Sequence, residues 1–478
     1  MSNSRRNFLK KSGLLGAGLL ASTKIASAQH QGHVPTQQQP QAQPKTNVGQ
    51  VSSGGNVLVE TPDVAKLPWT MEGDVKVFRL TAEVVKTQIN PMKEIYAWGY
   101  NGSVPGPTIE VNEGERVRIL FQNKLPEATT VHWHGLEVPP KMDGVPFISQ
   151  PMVEPGGTFT YEFTLYQNGT FFYHSHMAMQ EMMGMIGFFI IHPKEPYTPH
   201  CHKDFGLILQ EWALLPNNPV PNSLAMEFNW LTLNGKAGPA TTPMIVKQGE
   251  RVRIRMVNLG MDHHPMHIHG NQVYVTGTEG GRIPESRWFR ENTVLVGVAQ
   301  ARNMEFDAIY PGDWMLHCHL PHHMMNQMVS MVGPMAHASQ GVQTGGGMED
   351  GMGIVRQGNA LSEDLAPKFG RGMGDSTEKE RNTSNLVGPN AQAGQMNMQQ
   401  DAAKKRVPGY PQDMVMIMDK EVAKPHTYGL PPGWTASMMG MMTLVRVLPP
   451  TMYDEVMRRI REGIVEAPTA VPSGHKHE

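Results

Sequence analysis

The sequence predicts an all-β protein, with two tandem Greek-key β-sandwich domains followed by a C-terminal extension that carries a short helix. Between Val75 and Ile191, short runs of Val, Ile, Phe and Tyr alternate with Gly, Pro and Asn turns, as in VFRLTAEVV and TFTYEFTL. This alternation is typical of a β-sandwich. Because the same sequence pattern recurs further along the chain, we expect a second sandwich of related sequence to follow the first.

The recurrence is defined by motifs with equal spacing. NEGERVRILFQN followed by VHWHGLE returns as KQGERVRIRMVN followed by HPMHIHGNQ, and 18 positions separate Gly114 from His132 and Gly249 from His267. NGTFFYHSH likewise returns as PGDWMLHCH with the same internal spacing. Agreement in both spacing and residue type indicates two copies of one domain.

The rest of the chain divides by composition. A segment rich in Gln, Pro and Gly precedes the sandwiches, and a Gly-, Gln- and Asn-rich segment follows them. The expected segments are an export signal at 1–28, a flexible segment at 29–75, sandwiches at 76–195 and 203–338, a low-complexity linker at 340–405 and the extension at 406–478. Within the extension, TMYDEVMRRIREGI has the spacing of a short amphipathic helix. MMGMM, just before it, carries four thioethers, a ligand type that favours Cu(I), so it is predicted either to bind copper or to pack over a sandwich face.

The N-terminus resembles a twin-arginine export signal. Arg5 and Arg6 precede a short apolar run that ends in a small-residue ASA site at 26–28. The run is too short to span a bilayer, so the mature protein is expected in the periplasm, exported by the twin-arginine machinery and without a membrane span. A net charge of −2 predicts no nucleic-acid partner.

Metal-binding side chains concentrate in HCHLPHHMMNQM, from His317 to Met328. This stretch combines Cys318, imidazoles including His323, and a thioether, which together form a soft donor set that selects copper. Zinc sites favour Cys and His sets without a thioether. In an extended segment, His317 and His319 project to the face opposite Cys318, where they could hold a second metal centre bonded through the backbone to the first.

The four segments HWHG, HSH, HPMHIHG and HCH resemble those of the multicopper oxidases, the laccase family of cupredoxin-fold enzymes, over about residues 76–338. The resemblance implies four coppers per subunit equivalent. It implies a type 1 copper held by His264, Cys318, His323 and axial Met328, a type 2 copper held by His132 and His267, and a type 3 pair held by His134, His174, His176, His269, His317 and His319.

The implied activity is oxidation of a small donor with O2 as acceptor. Cu(I) or a phenol would give single electrons to the type 1 copper, and these would pass through Cys318 to the trinuclear cluster, where O2 becomes water. Asp143, in KMDGVP, lies eleven residues after His132. Similar enzymes carry a proton-delivering acid there, although an Asp-Gly pair also simply forms turns. Many relatives carry an acid directly after the second type 1 histidine, where this chain has Met324.

Aligning the repeats predicts that the first domain holds no type 1 copper. Offsets of 135 and 143 residues place Thr129 at the position of His264, and Ser175, Gln180 and Met185 at the positions of Cys318, His323 and Met328. The first domain thus keeps a methionine but lacks the thiolate and both imidazoles.

The short separation of the second and third His motifs, 88 residues from His176 to His264, resembles the two-domain, small-laccase class. The resemblance implies a homotrimer whose trinuclear clusters form between subunits, closed by three-fold rotation. The alternative is a monomer whose two domains face each other across an intrachain cluster.

Two further features leave alternatives open. Methionines flank the copper motifs, and they would either collect Cu(I) near the electron-entry site or fill the core. These methionines are Met177, Met179, Met182, Met183, Met185, Met324 and Met325. Cys201, in PHCHKD, is either a free thiol or part of an accessory metal site with His200 and His202.

Two other functions compete with the oxidase. Copper nitrite reductases also build trimers from two cupredoxin domains, but they carry the cysteine in the first domain and lack a full set of type 3 histidines. A non-enzymatic copper store or carrier would explain the methionines but not the paired H-x-H motifs.

Overall fold

The computed structural model describes residues 55–214, 218–223, 228–324 and 417–468. The expected export signal, the linker at 340–405, and the residues Met325 and Met328 lie outside the described residues. So do 29–54 of the N-terminal segment and 406–416 of the extension.

The first sandwich consists of two sheets. Its strands are β1 (Trp69–Glu72), β2 (Val75–Asn90), β3 (Lys93–Tyr100), β4 (Gly106–Asn112), β5 (Arg116–Asn123), β6 (Val131–His134), β7 (Thr158–Thr164), β8 (Gly169–Ser175) and β9 (Ile186–His192). Sheet A has the order β1-β2-β5-β7 with β3 also paired to β2, and sheet B has the order β4-β9-β8-β6. A short helix, α1 (Ala178–Met182), connects β8 to β9.

The second sandwich repeats this plan. Its strands are β10 (Lys203–Trp212), β11 (Trp230–Leu233), β12 (Met244–Lys247), β13 (Arg251–Asn258), β14 (His264–Ile268), β15 (Val273–Thr278), β16 (Gly281–Arg282), β17 (Phe289–Glu291), β18 (Thr293–Val296), β19 (Gln300–Asp307), β20 (Gly312–Cys318) and β21 (Met442–Leu448). Sheet C has the order β11-β10-β13-β19-β15-β16 with β17 also on β15, and sheet D has the order β12-β21-β20-β14-β18. The predicted all-β fold is confirmed, and so is the C-terminal helix, α2 (Pro450–Glu462).

Apolar alternation explains how the sheets stack. On β5, Val117, Ile119 and Phe121 are buried against sheet B, while the side chains between them are partly exposed. Sheet B is apolar on both faces, and Phe172 and its neighbours on the second face pack against sheet C around Ile208. Sheets C and D enclose the largest cluster of buried apolar residues. The four sheets therefore stack in the order A, B, C, D, and this order decides which way each metal-binding side chain faces.

The N-terminal segment is ordered over 55–75, contrary to the flexibility that its composition predicts. Val59 is fully buried, Glu60 forms a β-bridge with Phe205, and β1 pairs with β2. Apolar residues spaced among the Gln, Pro and Gly of this segment dock it on both sandwiches, a contact that local composition does not reveal.

The C-terminal extension supplies an interior strand of sheet D. Strand β21 runs parallel to β12 and antiparallel to β20, and every one of its residues is buried. Val445 and Val447 belong to the apolar cluster between sheets C and D. Of the two interpretations of MMGMM, packing is supported for Met438, which clusters with Trp434 and Leu444, while Met442 is the first residue of β21 and so lies within the sheet. Sequence spacing could not show this, since the partner strands are more than a hundred residues away.

Three arginines on one face of β13 form a buried ion-pair network. Arg253 and Arg255 contact Asp204 at 3.0 and 2.8 Å, while Arg251 and Arg253 contact Glu305 at 3.2 and 2.9 Å. Alternate residues of a strand share a face, so the arginines form a row. Their pairing offsets the high cost of burying the charges.

The network sets the ionisation of Glu305. Burial alone would raise the pKa of Glu305, but the positive charges of Arg253 and Arg282 outweigh burial and hold this pKa at about 2. An unfolded glutamate has a pKa of about 4.3. Glu305 therefore stabilises the fold fully above about pH 5, and this stabilisation is lost as the pH falls towards about 2.

We expect Glu305→Gln to lower the free energy of unfolding at pH 7 by about 3 kcal/mol, because it leaves buried arginines underpaired. The difference from wild type should shrink as the pH falls from about 5 to about 2, since wild-type Glu305 itself becomes neutral there. Thermal unfolding of the metal-free protein across this pH range measures both effects. Glu285→Gln, on the exposed surface, is the control. A difference that grows at low pH would contradict the ion-pair explanation.

Candidate metal centres

A buried thiol and two imidazoles meet at one end of sheet D. His264 begins β14, Cys318 ends β20, and His323 lies in a single 3-10 turn at Pro321–Met324. Cys318 Sγ is 3.7 Å from His264 Nδ1 and 3.4 Å from His323 Nδ1, and the two nitrogens are 3.2 Å apart. All three residues are buried. The sequence-predicted type 1 residues with described positions are thus brought together, whereas Met328 lies outside the described residues.

These donors fit a trigonal metal. Metal–donor bonds of about 2.0–2.3 Å at trigonal angles place donor atoms roughly 3.5–4 Å apart, close to the distances in this group. Burial raises the pKa of the Cys318 thiol to about 12, so a bound cation is needed to hold the thiolate at neutral pH. Burial, together with His264 and His322, lowers the pKa of His323 to about 4 and keeps its ring neutral. The set therefore matches two imidazoles and a thiolate around copper.

Two carboxylates lie behind these imidazoles. Glu211, at the end of β10, is buried, with Oε1 2.9 Å from His264 Nε2, and it also accepts a hydrogen bond of 3.0 Å from the backbone N–H of Asp262. Asp262 Oδ2 is 3.4 Å from His323 Nε2. A carboxylate at Nε2 favours the tautomer whose Nδ1 is free to bind a metal. Sequence reasoning missed both acids, and the signal for Glu211 was a charged residue inside the buried run LILQEW.

The first sandwich fills the equivalent positions with a hydrogen-bonded group. Thr129 Oγ1 lies 3.1 Å from Ser175 Oγ, which donates to Gln180 Oε1 at 2.7 Å. All three side chains are buried. Hydroxyl and amide groups that satisfy one another give no soft donor set. This geometry agrees with the predicted lack of a type 1 site in the first domain.

Four histidines gather at one end of sheet B. His132 and His134 lie on β6, His174 lies on β8, and His176 follows β8. The ring centroid of His132 is 5.3 to 5.7 Å from the other three. Burial, with His174 and His132 nearby, lowers the pKa of His134 to about 4. We call these residues histidine set 1; its rings are close enough together to share metal ions.

A matching group, histidine set 2, lies on sheet D. His267 is on β14 and His269 follows it, while His317 is on β20 and His319 follows that strand. The ring centroid of His267 lies 5.0 to 5.6 Å from the other three. Cys318 lies between two members of this set, so the backbone joins set 2 directly to the thiol site.

Backbone carbonyls orient one imidazole from each of the four His motifs. In each of these residues, Nδ1–H donates to a carbonyl oxygen, which can only accept. The bonds run from His132 to Asp143 (2.7 Å), from His174 to Ser175 (2.7 Å), from His267 to Asn292 (2.8 Å) and from His317 to Cys318 (2.9 Å). Each ring is thereby fixed with its Nε2 unprotonated, the state that binds a metal.

The two sets lie on different surfaces of the chain, separated by sheets C and D. On β6, the neighbours of His132 point into the core between sheets A and B, so set 1 lies on the face of sheet B that meets sheet C. On β20, Leu316 and Cys318 point into the core between sheets C and D, so His317 lies on the outer face of sheet D. Among the described residues, no ring contact or hydrogen bond joins set 1 to set 2.

Asp143 lies beside set 1. Its Oδ1 is 3.4 Å from His132 Nδ1, and the side chain is 38% exposed. It also precedes Gly144, whose φ is +83° and whose position leaves no space for a Cβ against the backbone of Val131. The turn-forming interpretation is thus supported, and the Asp-Gly turn places the carboxylate next to the histidine, while proton delivery stays a prediction.

Comparison with known proteins identifies the family. Residues 83–196 and 214–334 each match a family model described as multicopper oxidase. The crystal structure of a blue copper oxidase from Nitrosomonas europaea is similar, with a TM-score of 0.50 and 31% identity, covering 52% of this chain and 81% of that chain. The chain belongs to the multicopper oxidase family. Membership implies copper cofactors, which the donor types of the thiol site and both histidine sets suit.

Other multicopper oxidases match over shorter stretches. Copper resistance protein A of Pseudomonas syringae pv. tomato is 42% identical over 117 residues, 24% of this chain and 19% of that protein. Laccase-1 of Emericella nidulans is 48% identical over 140 residues, 28% of this chain and 22% of that protein. The matches span about a fifth of the length of these curated relatives.

Some of the methionines near the copper motifs are buried in the core, and others are exposed to solvent. Met183 and Met185 are buried, whereas Met179 is 46% exposed. Met324 packs against a cluster that the C-terminal extension forms around Trp434. Part of the methionine enrichment in this multicopper oxidase therefore comes from core packing.

Cys201 is a buried thiol, and burial raises its pKa to about 12. His200 and His202 are exposed, and His202 Nδ1 accepts a hydrogen bond from the backbone N–H of Arg251. These three residues are not among the metal-sized donor groups of the described chain. His263, beside His264, is exposed and accepts a hydrogen bond from Val298 N–H.

We expect Cys318→Ser to lose the visible thiolate-to-copper absorption and about one copper per chain, because only Cys318 supplies a thiolate to this group. The histidine sets should still bind copper. Copper content, the visible spectrum and electron paramagnetic resonance measure this, with Cys201→Ser as the matched buried-thiol control. A visible band that survives in Cys318→Ser would contradict the assignment.

Proposed function

We propose that this multicopper oxidase takes single electrons from a small donor at a type 1 copper and reduces O2 to water at a trinuclear copper cluster. The observation that carries the proposal is the arrangement of His317, Cys318 and His319. Cys318 points into the buried pair of His264 and His323, while its neighbours belong to set 2. When bound, copper supplies one-electron transfer at the first site and four-electron reduction of O2 at the second.

The proposed ligands follow the two groups of donors. His264, Cys318 and His323 hold type 1 copper, His132 and His267 hold type 2 copper, and His134, His174, His176, His269, His317 and His319 hold the type 3 pair, giving four coppers per subunit equivalent. The unprotonated Nε2 atoms of the carbonyl-bonded imidazoles support this division. Asp143, close to His132 and partly exposed, is suited to carry protons from solvent to set 1.

The trinuclear cluster is proposed to form between subunits. Each chain carries two half-sets, and their separation by sheets C and D supports pairing set 1 of one subunit with set 2 of the next. Such a head-to-tail contact closes into a ring under three-fold rotation, so we propose a homotrimer. His176, His269 and His319 are exposed within a single chain, as surfaces completed by another subunit would be.

A cuprous ion is the donor that the surface near the type 1 site favours. Donor atoms of Asp262, His322 and His323 lie within 4.8 Å of one another. Asp262 and His322 are accessible to solvent, whereas His323 is buried beneath them. Imidazole suits copper and the carboxylate adds negative charge, so these groups together can hold a copper cation, whereas a phenol could use only a hydrogen bond to the carboxylate. Oxidation of Cu(I) in the periplasm, after twin-arginine export, would be a role in copper homeostasis.

Mixing two inactive variants tests the intersubunit cluster. One variant carries His132→Ala and His134→Ala, and the other carries His267→Ala and His269→Ala. Each alone should fail to consume O2. Random mixed trimers formed by co-expression should regain about a quarter of wild-type O2 uptake, since one interface in about four then combines two intact half-sets. An intrachain cluster would give no recovery, which would contradict the proposal. Light scattering of the wild type checks the trimer itself.

Comparing donors tests the oxidase and its substrate. The fully copper-loaded protein should consume O2 with Cu(I) and, less efficiently, with a methoxyphenol. His322→Ala should raise KM for Cu(I) about tenfold and leave KM for the phenol unchanged, because His322 lies outside the thiol site and would bind only the cation. His263→Gln is the control for a nearby exposed imidazole. Equal effects on both donors would contradict a cation site, and no O2 uptake from a fully loaded protein would contradict the oxidase in favour of a copper store.

A further inference from the structure

Strand β21 brings Met441 to a position directly beside the thiol site. His317 pairs with Met442 across β20 and β21, so the adjacent residues Cys318 and Met441 lie opposite each other. Cys318 N–H donates to Met441 O at 3.0 Å, and Met441 N–H donates to His323 O at 2.9 Å. Residues opposite each other on antiparallel strands project to the same face. The thioether therefore projects to the same side as the Cys318 thiol, and both are fully buried in one core cluster.

The first sandwich has the same backbone frame. Ser175 N–H donates to Met185 O at 3.2 Å, and Met185 N–H donates to Gln180 O at 3.4 Å. Ser175 and Gln180 occupy the positions that Cys318 and His323 occupy in the second sandwich. Met185 is fully buried, as Met441 is. By this comparison, the second-domain counterpart of Met185 is Met441.

The surrounding sequence and topology agree. The first domain reads MMGMIGFFIIHP over 182–193, and the C-terminal extension reads MMGMMTLVRVLP over 438–449. In both, the glycine has a positive φ, and its carbonyl accepts an N–H at 2.9 Å from the residue two positions later. Strand β9 lies between β4 and β8, just as β21 lies between β12 and β20. The extension therefore supplies the final strand of the repeat, after an interruption of about a hundred residues.

We infer that Met441 supplies the axial thioether of the proposed type 1 copper site, the role that spacing alone gives to Met328. The inference rests on the proposed copper site. It means that 118 positions separate His323 from the fourth ligand, compared with five from His323 to Met328. The C-terminal extension thereby belongs to the electron-accepting centre, because an axial ligand tunes the reduction potential of a trigonal copper site.

A second methionine offers a matched control. Met266, on β14, lies opposite Cys318 on its other side and is also fully buried. The equivalent residue in the first sandwich is Val131, which pairs with Ser175 and has no thioether. Both domains therefore have a methionine just before β9 and β21, whereas only the second domain has one on the strand at the other side of the thiol. Met266 shares burial and proximity with Met441 but not this position.

The test compares Met441→Leu, Met441→Gln, Met328→Leu and Met266→Leu in the full-length, copper-loaded protein. Leucine matches methionine in volume, and glutamine is an alternative axial ligand. We expect the type 1 reduction potential to rise in Met441→Leu and to fall in Met441→Gln, with altered copper hyperfine splitting in both. Met328→Leu and Met266→Leu should keep wild-type potential and spectrum. Redox titration, electron paramagnetic resonance and copper content provide these readouts, which do not depend on turnover.

The possible outcomes distinguish failure of the axial role of Met441 from failure of the proposed type 1 copper site. A shift in Met328→Leu with none in either Met441 variant would overturn the inference and return the axial role to Met328. A wild-type protein without any thiolate-to-copper absorption would instead contradict the type 1 site itself. If Met441→Leu failed to fold, the opposite-direction shift in Met441→Gln would still decide the assignment, since a purely packing role predicts no such shift.

Discussion

The structure depends on where Cys318 is held. Its strand, β20, lies between β14 and β21, and each neighbour contributes to the surroundings of the thiol. His264 comes from β14, His323 comes from the turn after β20, and the backbone of Met441 is hydrogen bonded to both Cys318 and His323. A soft donor set needs buried residues at fixed separations, and the ladder of sheet D provides that rigidity before any metal binds.

Burial determines the chemistry of each donor. The Cys318 thiol has a pKa raised to about 12, so it is protonated until a cation displaces the proton. Glu211 and Asp262 face the Nε2 atoms of the two imidazoles, which leaves Nδ1 of each ring available. In the first sandwich, the same three positions carry groups that hydrogen bond to one another. The two domains therefore differ at three side chains, which hydrogen bond to one another in the first sandwich and form a group of soft donors in the second.

The alternation of strand residues also decides the assembly that we propose. One residue of HCH points into the core and two point outward, so the thiol site is enclosed within a chain while set 2 is open to a partner. Set 1 lies on a different surface, because it projects from the face of sheet B that packs against sheet C. Buried arginines of β13 fix this packing, and Arg255 donates to Thr170 of the first sandwich at 2.7 Å. The proposed sites of electron entry and of O2 reduction are thus held by one stack of sheets.

Much of this protein could be predicted from the sequence by itself. Alternating apolar runs determined the all-β fold, the repeated motifs determined two sandwiches, and the H-x-H and HCH patterns determined which residues gather around Cys318 and His132. These features are local, since side-chain direction on a strand follows from its two-residue period. The C-terminal helix was predictable for the same reason, because its apolar spacing lies within one segment.

Only the tertiary structure decided the rest. The contact of Glu211 with His264 joins separate strands, the order of residues 55–75 depends on docking to both sandwiches, and β21 joins its sheet from beyond residue 440. Five-residue spacing made Met328 the evident axial methionine, whereas strand pairing places Met441 opposite Cys318. Sequence spacing describes neighbours along the chain. Strand order in a sheet depends on which distant segment buries its apolar residues best. The free energy of that burial comes from contacts between segments far apart in the chain, and these contacts exist only in the folded structure.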